Sequence, residues 1–265
     1  IYYSMGDIST SLDYNLKAME ILSDDKDHSI YRGSKDMAIK NYSSMERYRK
    51  SLSLSLELID ESIMYGDSTN FSNGIYRASH AYRNLGILDS AVAFSRKVLE
   101  LDIILNNHDF IMSDYSLIGD IYFEMNELDS ALVMYEKTFV TSQEDQNVSP
   151  NQKINFVTKT KIDLGRTYLK KNKNDLALEL LLEGVGLAIE HNQKQYLVAG
   201  YKALYQYYKK KSIYKKALEN YEAYITQKDL ISGQEAQNKI SNLEIQKEVS
   251  RSESELSVLE QKAQI

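Results

Sequence analysis

Six tyrosines, Tyr2, Tyr42, Tyr82, Tyr122, Tyr168 and Tyr208, are spaced 40, 40, 40, 46 and 40 residues apart. Nine residues after each stands a small side chain: Ser11, Ser51, Ala91, Ala131, Ala177 and Ala217. Regularity of this kind marks a chain built from one supersecondary unit repeated in tandem. The positions before the tyrosine are patterned too, with Ala38, Ala78, Ile118, Leu164 and Leu204 four before it and Ile39, Ser79, Gly119, Gly165 and Tyr205 three before. Polar segments (RNLGI, EMNEL, KNKND, KKSIY) follow the tyrosine, so each unit reads as two amphipathic helices joined by a turn. The tyrosine of the first helix is expected to pack over the small residue of the second, where a larger side chain would hold the backbones apart. A hairpin like this cannot bury its apolar face alone and stacks on the next.

Composition agrees with helices throughout. The 265 residues include one proline and eleven glycines, too few for the frequent turns of a β-sandwich or barrel. The absence of cysteine excludes a disulfide scaffold, a thiolate metal site and a cysteine nucleophile, and leaves the compartment open. With 32 basic and 38 acidic side chains the net charge is −6, which favours solubility over a nucleic-acid or anionic-membrane footprint. No run approaches the roughly 18 apolar residues of a membrane span. The chain starts at Ile1 and stops at Ile265 inside helical patterns, so a segment of something longer is expected.

Two stretches break the period. The long interval falls at Thr141 to Gln152 around the single proline, Pro150, and reads as an exposed loop. Ser23 to Asp36, SDDKDHSIYRGSKD, reads as a second loose connection. Past Gln227 the tyrosine register stops. Val249, Leu256 and Ala263, with Ile245, Ser252 and Leu259, then form a short heptad seam, with Ile240 and Leu243 out of step.

The pattern resembles the tetratricopeptide repeat: hydrophobic, then Gly or Ala, then Tyr, then Ala nine on, then an aromatic. It is clearest in DYSLIGDIYFEMNELDSALVMYEK (Asp114 to Lys137) and KIDLGRTYLKKNKNDLALELL (Lys161 to Leu181). The first two units carry Ser for Ala, and the motif's terminal proline is absent. The unit exceeds the usual length of about 34 residues, so helices about one turn longer are expected. The resemblance implies an all-α fold: a right-handed superhelix of about six helical hairpins over 1–227, then a long C-terminal helix over 228–265. The order of repeats followed by ALENYEAYITQKDLISGQEAQNKISNLEIQKEVSRSESELSVLEQKAQI is similar to bacterial sensor histidine kinases, diguanylate cyclases and transcription regulators. There a repeat sensor region leads through a helix into a membrane span and an output domain. This implies a periplasmic or extracytoplasmic sensor module whose C-terminal helix relays or dimerises. A cytoplasmic peptide-binding regulator and a plain assembly scaffold are the alternatives.

In tetratricopeptide stacks the first helix of each pair lines the groove, through positions two before and one after the tyrosine and six before it. Mapped here, the groove candidates are Lys40, Tyr76, His80, Arg83, Asp120, Phe123, Arg166, Lys202, Gln206 and Lys209. This mixed, basic-leaning surface suits an extended protein or peptide ligand bearing carboxylates. Catalytic groups are not expected. His28, His80, His108 and His191 lack metal-ligand spacing, Gly184 and Gly186 lack the rest of a phosphate loop, and no Gly-x-Ser-x-Gly elbow occurs. Lys209, Lys210, Lys211, Lys215 and Lys216 around Tyr214 read as a solvated turn rather than a nucleic-acid site. The expectation is a non-enzymatic module with no metal or cofactor, a homodimer through the C-terminal helix, and membrane contact only through flanking segments.

Overall fold

A computed structural model describes residues 8–24, 29–105, 107–145 and 148–233. Its helices are α1 (Ile8–Ile21), α2 (Ser29–Ser44), α3 (Tyr48–Tyr65), α4 (Ser68–Asn84), α5 (Leu88–Ile104), α6 (His108–Glu124), α7 (Leu128–Glu144), α8 (Pro150–Lys170), α9 (Asn174–Glu190) and α10 (Lys194–Lys210). An eleventh, α11, covers 214–233, and no strand occurs among the described residues. Five tyrosine–small pairs fall on successive hairpins, α2/α3 to α10/α11; α1 carries Ser11, and Tyr2 lies outside the described residues. The first helices touch one another along the stack (α2 with α4, α6 with α8, α8 with α10), forming one layer.

The turn chemistry explains why the period is kept so strictly. Five residues after each tyrosine a backbone N–H donates to that tyrosine's own carbonyl: Arg47 to Tyr42, Ile87 to Tyr82, Glu127 to Tyr122, Lys173 to Tyr168 and Ile213 to Tyr208, each at 2.9 Å. The residue just before each donor, Glu46, Gly86, Asn126, Asn172 or Ser212, is left-handed with φ between 57° and 76°. This is the Schellman ending, which satisfies the last carbonyls of a helix and reverses the chain. The tyrosine thus sits a fixed distance from the end of its helix in every unit.

Ala91, Ala131 and Ala177 are fully buried, Ser11, Ser51 and Ala217 nearly so. Tyr42, Tyr122 and Tyr208 are buried, while Tyr82 and Tyr168 are half-buried. Within a hairpin a tight crossing lies elsewhere, between the residue three before the tyrosine and the residue thirteen after it. A Cβ on Gly119 would sit 2.7 Å from the Tyr135 ring, and one on Gly165 2.7 Å from Leu181. The corresponding positions elsewhere hold Ser79 hydrogen-bonded to Ser95, and Tyr205 against Tyr221 with ring centroids 5.2 Å apart. The pairs thus range from two small residues to two rings, with glycine only where the partner is pressed directly against the backbone. The core is accordingly a strip of linked clusters running from Leu12, Ile39 and Leu58 to Leu181, Leu204 and Tyr208.

Two expected loops are corrected. Pro150 opens α8 instead of interrupting a loop: Ser149 caps the helix, with the Ser149 and Gln152 side chains each bonded to the other's backbone N–H. Proline suits the first helical turn, where its missing N–H costs nothing. The six extra residues therefore divide between a 21-residue α8, against 17 for α4 to α7, α9 and α10, and a slightly longer connection. The stretch from Ser29 to Asp36 is the first half of α2, and its charged residues are buried because they are paired. Arg32 Nε donates to Asp67 at 2.7 Å, and Lys35 Nζ donates to both Glu61 oxygens at 2.8 Å.

At the other end, α11 continues where its predecessors stop. Gly66 and Asn192 turn the chain 15 residues after Ser51 and Ala177; the equivalent Ser232 is still helical. The heptad seam at 245–263 lies outside the described residues.

Candidate functional site

Helices α4, α6 and α8 share a ladder of charge. Asp120 on α6 is its centre: Oδ1 accepts from Tyr135 Oη at 2.9 Å and from Lys159 Nζ at 3.0 Å, and Oδ2 accepts from Arg83 at 3.2 Å. Lys159 also donates to Asp163 at 2.7 Å, Arg166 donates to the other Asp163 oxygen at 2.9 Å, and Arg83 reaches Glu124 at 2.7 Å. Burial alone would raise the Asp120 carboxyl, but the Lys159 and Arg83 charges hold it below the ordinary carboxylate value. Burial would likewise lower Lys159, and Asp163 and Asp120 outweigh it, so the ammonium stays firmly charged. Three cations balance three anions, and the ladder ties three hairpins together. These groups line an open pocket of about 210 Å³ with Tyr196 and Ala199 from α10.

Beside it lies a second pocket of about 500 Å³, of different character. Arg166, Lys170, Lys202 and Lys210 line it around Phe123, Leu169 and Ala203, with no acidic side chain among its walls. Phe123 is held between cations, the Lys170 ammonium 4.0 Å and the Arg166 guanidinium 4.8 Å from its ring centroid. Lys170 Nζ also donates to the Phe123 carbonyl at 3.4 Å, and Lys210 to Asn172. An anion entering here would gain charge-assisted hydrogen bonds, with apolar surface beside them.

Nearer the N-terminus, a cleft of about 590 Å³ between α4, α5 and α6 has Tyr76 on one wall and Asp102 among its lining residues. Tyr76 Oη and His80 Nε2 are 3.1 Å apart. Burial, reinforced by Arg83 and Arg77, pushes the His80 imidazole down to about 4, so it is neutral at pH 7.

Of the residues singled out from sequence, Arg83, Asp120, Phe123 and Arg166 meet in the first pocket, and Lys202 and Gln206 join Phe123 and Arg166 in the second. Tyr76 belongs to the third. Lys40 stands half-buried on α2, His80 lies behind Tyr76, and Lys209 is exposed at the end of α10, where it donates to Tyr205 Oη. The spacing rule missed Lys159, Asp163, Tyr135, Lys170 and Lys210. Lys159, Asp163 and Arg166, at i, i+4 and i+7 on one helix face, carried a readable stripe of alternating charge. No group of three or more His, Cys, Asp or Glu placed to hold a metal occurs among the described residues. No helix there is long and apolar enough to cross a membrane.

The tetratricopeptide repeat family profile matches residues 73–102. No curated protein sequence matches the chain. Among solved structures, the apo form of RapI is similar with a TM-score of 0.71 at 14% identity, over 88% of this chain and 81% of that one. A Rap protein complexed with Competence and Sporulation Factor gives 0.63 at 15% identity, over 88% and 62%. NprR in complex with its cognate peptide NprX gives 0.55 at 16%, over 89% and 72%. At these identities the likeness is one of fold, and it agrees with the hairpins, their turns and their crossings: the chain is an all-α helical-repeat solenoid of the tetratricopeptide-like type.

Proposed function

We propose that this chain is a protein- or peptide-binding sensory module of a bacterial signalling protein. Its ligand lies along the inner face from α4 to α10, and an acidic group of that ligand enters the pocket around Phe123. The observation that carries this reading is the pocket itself: four cations on two helices, no acid among the lining residues, and an aromatic ring at its centre. An extended ligand with a carboxylate beside an apolar side chain matches both components. NprR, solved with its cognate peptide, lends support through its similar fold. The module acts by binding rather than by catalysis.

The C-terminal helix dimerises or relays. The helical backbone at Ser232, where earlier units turn, supports this. A ligand would then act by favouring one of two arrangements of that helix. Extracytoplasmic placement belongs to the same proposal, and a cytoplasmic peptide regulator is the alternative. Photo-crosslinking with a hexapeptide library rich in Asp and Glu tests the binding site. Crosslinks at Phe123, Ala199 or Lys202 are expected; crosslinks confined to α3, α5, α7 and α9 would refute the assignment. Sedimentation equilibrium of 1–265 against 1–233 tests dimerisation, expected only in the longer chain.

A further inference from the structure

Asp102 on α5 and Asp114 on α6 form a buried acidic pair that the groove reading does not use. Asp114 has no exposed surface, and neither of its carboxylate oxygens meets an N–H or O–H donor. Its acidic neighbour is the Asp102 carboxyl, and the repulsion between two ionised acids favours a state in which one of them holds a proton. Asp102 in turn accepts from Asn107 Nδ2 at 2.8 Å and from Ser72 Oγ at 3.4 Å, and it lines the cleft between α4, α5 and α6. A buried carboxylate with no hydrogen-bond partner is costly unless a cation arrives. The site offers too few acids or imidazoles for a metal ion. Its other walls are hydroxyls, amides, Val98, Leu105, the Arg77 guanidinium and the rings of Tyr76 and Phe110; the rings and hydroxyls suit an alkylammonium group.

We infer that this cleft is a subsite for a primary ammonium group of the groove's peptide ligand, received by the Asp102 carboxylate with Asp114 behind it. The inference rests on the peptide-binding reading and adds a direction to it. Tyr76, His80 and Arg83 follow one another along α4, so the cleft opens onto the same face as the charge ladder. A ligand with its amine here and its carboxylate at α8 and α10 would run along the stack. The charged and titratable groups that share the cleft with Asp102 are Tyr76 and Arg77 from α4. Arg77 is occupied by Asp36, at 2.9 and 3.3 Å, and so opposes an incoming cation only weakly.

Binding has a proton signature. Burial, then the neighbouring Asp102, pushes the Asp114 carboxyl up to about 8. Below that pH the pair holds a proton that an arriving ammonium group displaces to solvent. Affinity should therefore rise with pH toward about 8 and level off above it, approaching tenfold per unit if release is complete.

The test uses the 1–265 chain, immobilised, and two equimolar hexapeptide libraries, one with free amino termini and one N-acetylated, read by mass spectrometry. Retention of free-amine peptides at least tenfold over their acetylated counterparts, lost in Asp102→Asn, supports an N-terminal amine. Retention of acetylated peptides only when they contain lysine supports the same chemistry from a side chain. Equal retention of acetylated, lysine-free peptides overturns the subsite and leaves the groove reading standing. No retention at all overturns both. Because Asp102→Asn could disturb folding, Asp114→Asn gives a second reading: binding persists, but its rise between pH 6 and 8 flattens. An unchanged rise in that variant would contradict the role given to the pair.

Discussion

Where α8 and α9 cross, the size of one side chain is limited by its partner. Gly165 faces Leu181 with no room for a Cβ, so Gly165→Ala should cost about 1–3 kcal/mol through overpacking. Combined with Leu181→Ala the added penalty should largely vanish, and a double-mutant cycle by urea unfolding reads the coupling. The turns make a prediction of opposite sign. Glu46 is left-handed with φ 57°, a conformation that glycine adopts freely, so Glu46→Gly should stabilise by about 1 kcal/mol in a thermal melt. The Asp102 and Asp114 pair governs pH dependence. With Asp114 raised to about 8 in the fold, unfolding releases its proton between the ordinary carboxylate range and about 8. Its contribution is therefore intact at low pH and is lost as pH rises through that window. Asp114→Asn should remove up to about 1.4 kcal/mol of destabilisation per pH unit there. Denaturant midpoints at pH 5, 7 and 8.5 measure it, and a constant difference would contradict the assignment. Little of this was legible in the sequence. The tyrosine and its small partner stood out because they recur, whereas the crossing pair varies from Ser–Ser to Gly–Leu to Tyr–Tyr and keeps neither residue type nor combined volume.

Among the helices, the regular 17-residue elements follow from the period, and the irregular ones do not. Pro150 suggested a loop, since a proline between two polar segments usually breaks a helix; the Ser149 cap at its N-terminal side reverses that meaning. The charged start of α2 suggested a loose connection because Arg32 and Lys35 find their acids on other elements, at Asp67 and Glu61, far along the chain. The same limit hid the Lys159–Asp120 pair between α8 and α6, although Asp163 lies one turn along the helix of Lys159 itself. That lysine staples two hairpins, so Lys159→Met should cost about 3 kcal/mol by leaving Asp120 and Asp163 unbalanced. Chemical denaturation measures the loss, and a neutral result would mean that water and Arg83 already satisfy the carboxylates.

For the molecule as a whole, stacking hairpins turns a local rule into a long surface. Each unit contributes its first helix to one layer, so residues about forty apart in sequence, such as Arg83, Asp120 and Lys159, become neighbours. A chain of net charge −6 thereby gathers Arg166, Lys170, Lys202 and Lys210 around one aromatic ring. The groove positions were partly readable, because Phe123, Arg166, Lys202 and Gln206 obey the tyrosine register. Lys170 and Lys210, each two residues beyond Tyr168 or Tyr208, fall outside it. The central claim is that this basic pocket receives an acidic group of a peptide ligand. The direct measurement is the affinity, by fluorescence polarisation, of the best-retained library hexapeptide for the 1–265 chain and for Lys202→Glu, with melting temperatures beside it. Lys202 is exposed, so the substitution should leave the melting temperature unchanged and weaken binding at least tenfold. Equal affinity for both chains would contradict the account.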